Sequence, residues 1–332
     1  MKYIFITIAL LFLFALDIFL GSISISFDDL TKALIGADVP ESIKAILWNY
    51  RIPKAITATL AGVALSLAGL QMQTLFRNPL ADPFILGISA GAGFGVALFI
   101  MGASAFGYIV NNIYYTTIGS AASGWIGALV VTFLILWVAE KLKENLTILI
   151  FGIMLSSILT AVINLLQYYS SESSLKVFVL WTMGSFAGLT YTQLAILSIV
   201  VITGVILTVF NIKDLNAIIM GENYAKSLGV DLRKVRIRIL ASVTILAGGV
   251  TALCGPIGFI GIAVPHIARI FFKNGNHKIL VPASALAGAA LMLLTDIISQ
   301  VPGKATVIPI NTVSALIGVP VIIYIIFKKR IN

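Results

Sequence analysis

The chain has 332 residues, of which 59% are hydrophobic and only 11% are charged, and its mean hydropathy is +1.06. A water-soluble domain of this size could not bury so much apolar surface, so a soluble globular protein is excluded and the surplus must face lipid. The net charge of +9 is not arranged as a basic stripe interleaved with aromatic residues, which argues against nucleic-acid binding. The single cysteine, Cys254, permits neither an intrachain disulfide nor a cysteine metal cluster.

Apolar segments of spanning length recur along the chain and predict one all-α polytopic membrane domain over residues 1–332. The first segment is long for a signal peptide and no clear small-residue cleavage site follows it, so we interpret it as a retained helix. The eighth is short and contains Pro265. The ten predicted spans are 2–21, 54–76, 86–104, 117–139, 147–168, 190–211, 237–256, 257–272, 279–300 and 310–327.

The placement of Lys and Arg predicts the orientation of these spans. With the N-terminus in the cytoplasm, 16 of the 22 basic residues fall in inside loops and tails. This bias follows the positive-inside rule and predicts an even number of spans with both termini cytoplasmic. Without the eighth span, the last basic loops and the tail would lie outside.

Small residues recur at four-residue spacing within several spans, and this spacing places them on one helix face. Such faces let helix backbones approach closely in lipid, so they predict a compact bundle. The sets are Gly87, Gly91 and Gly95; Gly62 and Ser66; and Ser284 and Gly288.

The second span begins with two basic residues, Arg51 and Lys54, on the outer side of the predicted layout. Lys and Arg at such positions commonly anchor a helix by extending their charges to water. Gln71 and Gln73 are polar groups inside the same apolar helix, and such groups tend to face the bundle interior. Packing within the bundle and lining of a transport pathway both account for them.

The span then runs into a polar turn. Two prolines cannot continue a helix, and Asn and Asp side chains can bond the freed backbone groups, so this segment predicts a connection between two helices. Its residues are Asn78, Pro79, Leu80, Ala81, Asp82 and Pro83.

The longest predicted inside loop covers residues 211–238 and contains a short apolar patch at 218–220. Two short helices, broken at Gly221 and Gly229, would expose an apolar and charged surface to the cytoplasm. An ordinary solvated loop is the alternative, but exposed apolar clusters usually meet a partner.

A second string combines prolines and glycines in an apolar run and predicts a bent or broken span. Such backbone is tolerated in a membrane only where protein buries it or where it lines a cavity. His266 has no second His or acid nearby in sequence, so we predict a structural or interface role for it rather than metal ligation or proton relay. The string contains Gly255, Pro256, Gly258, Gly261, Pro265, His266 and Arg269.

Several chemical signatures are missing from the sequence. The segment at 303–305 fails the phosphate-loop pattern, and there is no HExxH, GxSxG or Cys/His cluster, so we expect neither an ATPase site, a catalytic set, a metal nor a cofactor in this chain. Only Asp17 and Asp296 are acids within or at the ends of spans. An ion-coupled secondary transporter, the alternative function, usually needs more buried ionisable groups than these two.

The segment from Arg51 to Gly95 and the string from Gly255 to Arg269 resemble the permease subunits of bacterial ABC importers for iron–siderophores, haem and cobalamin, the FecCD/BtuC type. The resemblance extends over nearly the whole chain. It implies a BtuC-like (type II importer) bundle in the inner membrane, paired with a second copy or a similar permease. Two ATP-binding subunits would bind inside, and one periplasmic or lipid-anchored substrate-binding protein outside.

The resemblance also implies roles for individual residues. Asn78 and Leu80 would belong to a cytoplasmic gate and pathway, together with Gln71, Gln73, Pro79, Asp82 and Pro83. Residues that couple to the ATPase would be Met220, Gly221, Glu222, Ala225, Leu228 and Gly229. Residues that dock the binding protein would be Arg51, Lys54 and Lys304.

The chain also departs from the family pattern near its last span. An Arg and a Glu of the family are replaced by Gln300 and Val307, and Asn311 stands in place of a common Gly. Ferric siderophore is the expected substrate because most members are assigned to that class, and haem and cobalamin stay open.

Overall fold

The computed structural model describes residues 1–102, 113–141, 145–300 and 307–331, and the secondary structure of these residues is helical without a strand. A short 3₁₀ turn, Pro83–Leu86, precedes the fourth helix. The helices are α1 (Lys2–Phe19), α2 (Phe27–Leu34), α3 (Glu41–Leu75), α4 (Ile88–Gly102), α5 (Ile113–Lys141), α6 (Asn145–Tyr169), α7 (Glu172–Thr182), α8 (Tyr191–Phe210), α9 (Ile212–Met220), α10 (Glu222–Ser227), α11 (Leu232–Cys254), α12 (Ile260–Phe272), α13 (His277–Ser299) and α14 (Ile310–Ile331).

Seven of the described helices are long and apolar enough to cross a membrane: α1, α3, α5, α6, α8, α11 and α13. Three shorter apolar helices, α4, α12 and α14, coincide with the remaining predicted spans. In their most apolar stretches, α3 and α11 are 78% and 72% buried, whereas α1 and α6 are only 11% and 22% buried. Thus α3 and α11 form the core, and apolar helices surround them as a lipid-facing layer.

The helix α3 begins earlier than the predicted span, which starts at residue 54. It starts at Glu41 and includes a wider π-type turn, Leu47–Arg51, where the N–H of Ile52 bonds to the carbonyl of Leu47. Pro53 follows directly; since proline has no N–H, it disrupts a regular helix interior. The wider turn lets the helix continue across Pro53. It changes the number of residues per turn locally, and a hydropathy pattern does not reveal such a change.

The core helix α3 crosses α13 and α12 at backbone contact distance. A Cβ atom on Gly62 would lie 2.2 Å from the carbonyl oxygen of Gly288, and one on Gly69 would lie 1.9 Å from that of Gly261. Since no side chain fits at either crossing, the predicted small-residue face at Gly62 is confirmed as a packing surface.

The helices α4 and α5 cross in the same way. A Cβ on Gly95 would lie 2.0 Å from the carbonyl oxygen of Ser123, and one on Gly127 would lie 2.1 Å from that of Gly91. The predicted face of Gly91 and Gly95 therefore meets α5.

The peripheral helix α1 is fastened at both ends. At its start, Lys2 Nζ donates to the carbonyl of Phe271 (2.8 Å) and the Tyr3 hydroxyl donates to that of Ile279 (2.9 Å). At its finish, Arg51 donates to its last carbonyls. We call the region around Arg51, with the C-terminal ends of α1 and α13, the Arg51 end. The opposite region, with α9, α10 and the start of α13, is the Asn211 end.

Candidate functional site: two ends of the bundle and the turn between them

The Asn211 end carries two short helices, as predicted. The helix α9 stops at Gly221, whose φ is +128°, and α10 ends before Gly229, whose φ is +80°. A Cβ at either glycine would meet no atom within 4 Å, so the positive φ, rather than space, is what requires glycine there. Glu222 starts α10, where the helix dipole favours a negative charge.

These two helices turn one apolar side inward and leave another exposed. Ala225 and Leu215 are fully buried. Met220, Tyr224 and Leu228 are exposed to 67%, 50% and 59%. Exposed apolar groups on a surface rich in charge indicate a partner rather than lipid.

One ion pair joins this surface to the bundle, and a second joins the start of α11 to the end of α5. Arg238 Nη2 on α11 lies 2.7 Å from Asp214 Oδ2 on α9. Arg233 Nη2 on α11 lies 2.9 Å from Glu140 Oε1 on α5. At the start of α11, the backbone N–H of Lys234 lowers the pKa of Asp231, which caps the helix.

The polar turn after α3 is a tightly bonded connection at this same end. Its Asn78 side chain accepts from the N–H of Leu80 (3.0 Å), and Asp82 Oδ1 accepts from that of Phe84 (2.8 Å). Asp82 is buried, which raises its pKa to about 6. Leu80 is 37% exposed at the tip of the turn, between the partly buried Asn78 and Pro79 and the buried Asp82 and Pro83.

The turn and the string from Gly255 to Arg269 form one unit, although they lie far apart in sequence. His266 Nε2 lies 2.9 Å from the carbonyl oxygen of Pro79. A Cβ on Gly261 would lie 2.9 Å from Asp82 Oδ2. The helix α12 therefore supports the turn, and His266 has a structural contact of the kind predicted for it.

Gln73 compensates for the proline inside α12. Because Pro265 has no N–H, the carbonyl of Gly261 loses its partner four residues later. Gln73 Nε2 donates to this carbonyl and to that of Ile262, both at 3.2 Å, and Gln73 Oε1 accepts from Arg269 Nη1. These bonds support the packing alternative for Gln73.

Gln71 lies at the centre of a buried polar network. Its Nε2 donates to Thr208 Oγ1 (2.9 Å) and Ser242 Oγ (3.1 Å), and its Oε1 accepts from Asn211 Nδ2 (3.3 Å). Gln71 is fully buried, so it joins α3 to α8 and α11 instead of facing an open path.

The predicted break between α11 and α12 is confirmed. Gly255 has φ +78°, and a Cβ there would lie 2.3 Å from the carbonyl of Trp181. Phe259, the residue before α12, also has a left-handed backbone conformation, with φ +69°. The freed N–H of Gly258 donates to Asn311 Oδ1 at 3.1 Å. Asn311, the departure from the family's common Gly, therefore supports the break, which also contains Pro256.

A polar strip on α6 was missed by the sequence reasoning. Ser157, Thr160 and Asn164 are exposed on a helix that is otherwise apolar, and with Ser156 they line a cleft of about 580 Å³. Phe84, from the 3₁₀ turn after Asp82, forms its opposite wall. The hydroxyls of Ser157 and Thr160 donate to the carbonyls of Ile153 and Ser156 within α6. The amide of Asn164 has more donors and acceptors than a hydroxyl and, on an exposed face of a spanning helix, needs water or a partner subunit. The spacing of three and four residues between Ser157, Thr160 and Asn164, which places them on one helix face, was the available signal.

At the Arg51 end two of the predicted docking residues, Arg51 and Lys54, are buried. Arg51 is 4% exposed; its Nη1 donates to the carbonyls of Ile18 and Phe19, both at 2.9 Å, and its Nη2 to that of Ile23 at 2.6 Å. It thus satisfies the last carbonyls of α1, as a cation at a helix C-terminus does.

Lys54 lies between two carboxylates. Its Nζ is 2.7 Å from Asp296 Oδ2 and 3.5 Å from Asp17 Oδ1. Gln300 Nε2 donates to the same two oxygens at 3.0 and 2.9 Å. This cluster joins α1, α3 and α13, and gives Gln300, a departure from the family pattern, a bonding role.

A cavity of about 720 Å³ opens beside this cluster, lined in part by Arg51, Lys54 and Gln300. Lys304 lies outside the described residues. The role of these residues in docking stays a prediction. Val307, another departure from the family pattern, also lines this cavity and is 58% exposed.

Comparison with known proteins places this geometry in a family. Residues 9–328 match the model of the FecCD transport family. The hemin transport system permease protein HmuU of Yersinia pestis is 32% identical over 94% of this chain and 90% of its own. The vitamin B12 import system permease protein BtuC of Escherichia coli is 34% identical over 86% of this chain and 84% of its own.

A solved structure agrees with these sequence matches. It is a metal-chelate type ABC transporter in an inward-facing conformation, with a TM-score of 0.85, 28% sequence identity, and 98% of each chain covered. The chain therefore belongs to the FecCD transport family.

Proposed function

We propose that this chain is the transmembrane permease subunit of an ABC importer that moves a ferric siderophore, or else haem or cobalamin, across the bacterial inner membrane. The observation that carries the proposal is the exposed apolar surface of α9 and α10 at the same end as the buried turn after α3. The family match and the names of the relatives support it.

The proposed orientation places the Asn211 end in the cytoplasm, with ten spans and both termini inside. Two ATP-binding subunits bind Met220, Tyr224, Leu228 and their neighbours on α9 and α10. The substrate-binding protein docks at the Arg51 end, beside the 720 Å³ cavity. The predominance of basic residues at the Asn211 end supports this orientation.

Substrate crosses along the polar strip of α6, which pairs with a second copy of this chain or with a similar permease. Pairing covers this exposed face of α6 and supplies polar partners for the amide of Asn164 within the membrane. ATP binding and hydrolysis by the partner subunits favour alternate conformations of the pair, which open the path to one side at a time.

Uptake into proteoliposomes tests the proposal. The chain is reconstituted with its ATP-binding subunit and binding protein, and is offered labelled ferric siderophore, haem or cobalamin with and without ATP on the Asn211 side. Uptake of one compound only with ATP is expected. Uptake driven by an ion gradient without ATP would instead favour the secondary transporter, with Asp17 and Asp296 as its ionisable groups.

A further inference from the structure

A chain of hydrogen bonds joins α9 to the last turn of α3 through a buried histidine. The proposed importer function gives this histidine no role. Asn216 Oδ1 on α9 accepts from the backbone N–H of His277 at 2.9 Å and lies 2.8 Å from its Nδ1. On the other side of the ring, His277 Nε2 lies 2.8 Å from Thr74 Oγ1 on α3. His277 is fully buried and Thr74 is 3% exposed.

The bonding pattern assigns the protons on the ring. Since the backbone N–H of His277 must donate, its partner on Asn216 is the amide oxygen and not the nitrogen. The same oxygen faces Nδ1, so Nδ1 carries the proton. Complete burial disfavours a charged ring, so Nε2 accepts from the Thr74 hydroxyl, whose single proton is shared with the carbonyl of Leu70 at 2.9 Å. A neutral ring in one tautomer therefore bridges the two helices.

The amide of Asn216 is bonded on both sides. Its Nδ2 donates to Asn276 Oδ1 at 3.0 Å, and Asn276 caps the start of α13. The short helix α9 is thereby fixed to the first turn of α13 and, through the ring, to α3. Hydrogen bonds have short range and fixed direction, so they resist sliding more than apolar packing does.

The location of this bridge gives it a consequence. Thr74 is the second-last residue of α3 and stands just before the turn that contains Asn78, Leu80 and Asp82. Asn216 is on the helix that leads to the exposed Met220. The bridge thus links the surface proposed to bind the ATPase to the turn proposed to act as the gate.

We infer that His277 is a positioning residue that transmits displacement of α9 to the end of α3 and the turn after it. The inference rests on the proposed importer function, because α9 moves only if a partner drives it. Without the bridge, α9 keeps the bond of Asn211 at its start to Gln71, but less of its displacement reaches the last turn of α3. ATP is then hydrolysed with little transport.

The test compares transport with ATP hydrolysis in the reconstituted complex. Thr74→Val removes the hydroxyl at nearly constant volume, and Thr74→Ser keeps it. Thr57→Val is the matched control, because Thr57 is fully buried on the same helix and its hydroxyl donates to the carbonyl of Pro53 four residues back. We expect Thr74→Val to lower substrate moved per ATP by about tenfold, the scale of one buried hydrogen bond, with ATPase activity kept. Thr74→Ser and Thr57→Val should match the unmodified chain.

A double-mutant cycle with Asn216→Leu tests whether the two contacts act as one bridge. The double variant should be no more uncoupled than the worse single variant, because either substitution breaks the same link. Additive losses, or an unchanged ratio of transport to hydrolysis in both single variants, would overturn the inference. If the unmodified complex shows no ATP-driven uptake, the proposed function itself fails. If it does and Thr74→Val transports equally well, only the role of His277 fails.

Discussion

The two ends of the bundle use charge in opposite ways. At the Arg51 end, Arg51 and Lys54 are buried and bonded within the chain, to carbonyl groups and to two carboxylates. At the Asn211 end, the ion pair of Arg238 with Asp214 lies at the surface, beside exposed apolar side chains such as Met220. The buried cations of the Arg51 end are thus bonded within the chain, whereas the charges of the Asn211 end stand at the surface beside exposed apolar groups.

This difference indicates where a substitution should affect folding stability and where it should affect the binding of a partner subunit. Buried, bonded charges cannot be removed singly without leaving an unpaired group in a medium of low dielectric constant. Exposed apolar groups contribute little to the fold and much to binding. The following predictions are ordered by expected effect.

Glu222→Lys should abolish ATP-driven uptake while the chain still accumulates in the membrane. The substitution reverses the charge at the start of α10, within the surface proposed to bind the ATPase, where complementary charges set the orientation of the partner. Uptake into proteoliposomes and the amount of membrane-inserted protein are measured together. Normal uptake would remove the coupling role from α10.

Lys54→Met should lower the free energy of unfolding by about 3–5 kcal/mol, because it leaves the carboxylates of Asp17 and Asp296 buried together without a cation. Equilibrium unfolding of the purified chain in detergent measures the loss. Adding Asp17→Asn and Asp296→Asn to Lys54→Met should recover most of it. A Lys54→Met chain as stable as the original, yet weak in binding-protein docking, would show that this charge serves docking alone.

Gln73→Leu should cost about 1–3 kcal/mol, since it leaves the carbonyl of Gly261 buried without a donor. Pro265→Ala provides the matched test, because alanine restores an N–H four residues after Gly261. The second substitution should therefore recover part of the loss in the Gln73→Leu chain, as measured by thermal unfolding. If it worsens the loss, the kink at Pro265 matters more than the unpaired carbonyl.

Met220→Ser should change stability by less than about 0.5 kcal/mol, because the side chain is 67% exposed. Its binding of the ATP-binding subunit should nevertheless weaken, as shown by co-purification. Ile218→Ser, two residues earlier and 3% exposed, is the paired variant that should lower stability instead. Equal effects of the two on stability would show that the exposed side of α9 contributes to folding as much as its buried side.

The sequence was informative where glycine or proline breaks a helix. The breaks at Gly221, Gly229 and Gly255 all appear, because each depends on a local backbone conformation that its own residue encodes. The start of α3 was placed wrongly, since the π-type turn at Leu47–Arg51 keeps the helix continuous ahead of Pro53.

Contacts between distant segments could not be read from the chain. The bond of His266 to Pro79 spans 187 positions, and that of Gln300 to Asp17 spans 283. Nothing in the local pattern of Arg51 distinguishes a cation that bonds buried carbonyls from one that extends to water. Burial decides that question, and burial depends on how the helices pack.

Site-directed cross-linking tests most directly the claim that the two ends meet different partners. The native Cys254 is buried, so a reactive thiol can be introduced into the existing chain. Leu228→Cys, at a position 59% exposed, should cross-link to the ATP-binding subunit; Ile35→Cys, 80% exposed beyond α2 at the Arg51 end, should cross-link to the substrate-binding protein. Cross-links with the partners exchanged, or Leu228→Cys reacting only with lipid probes, would contradict the account.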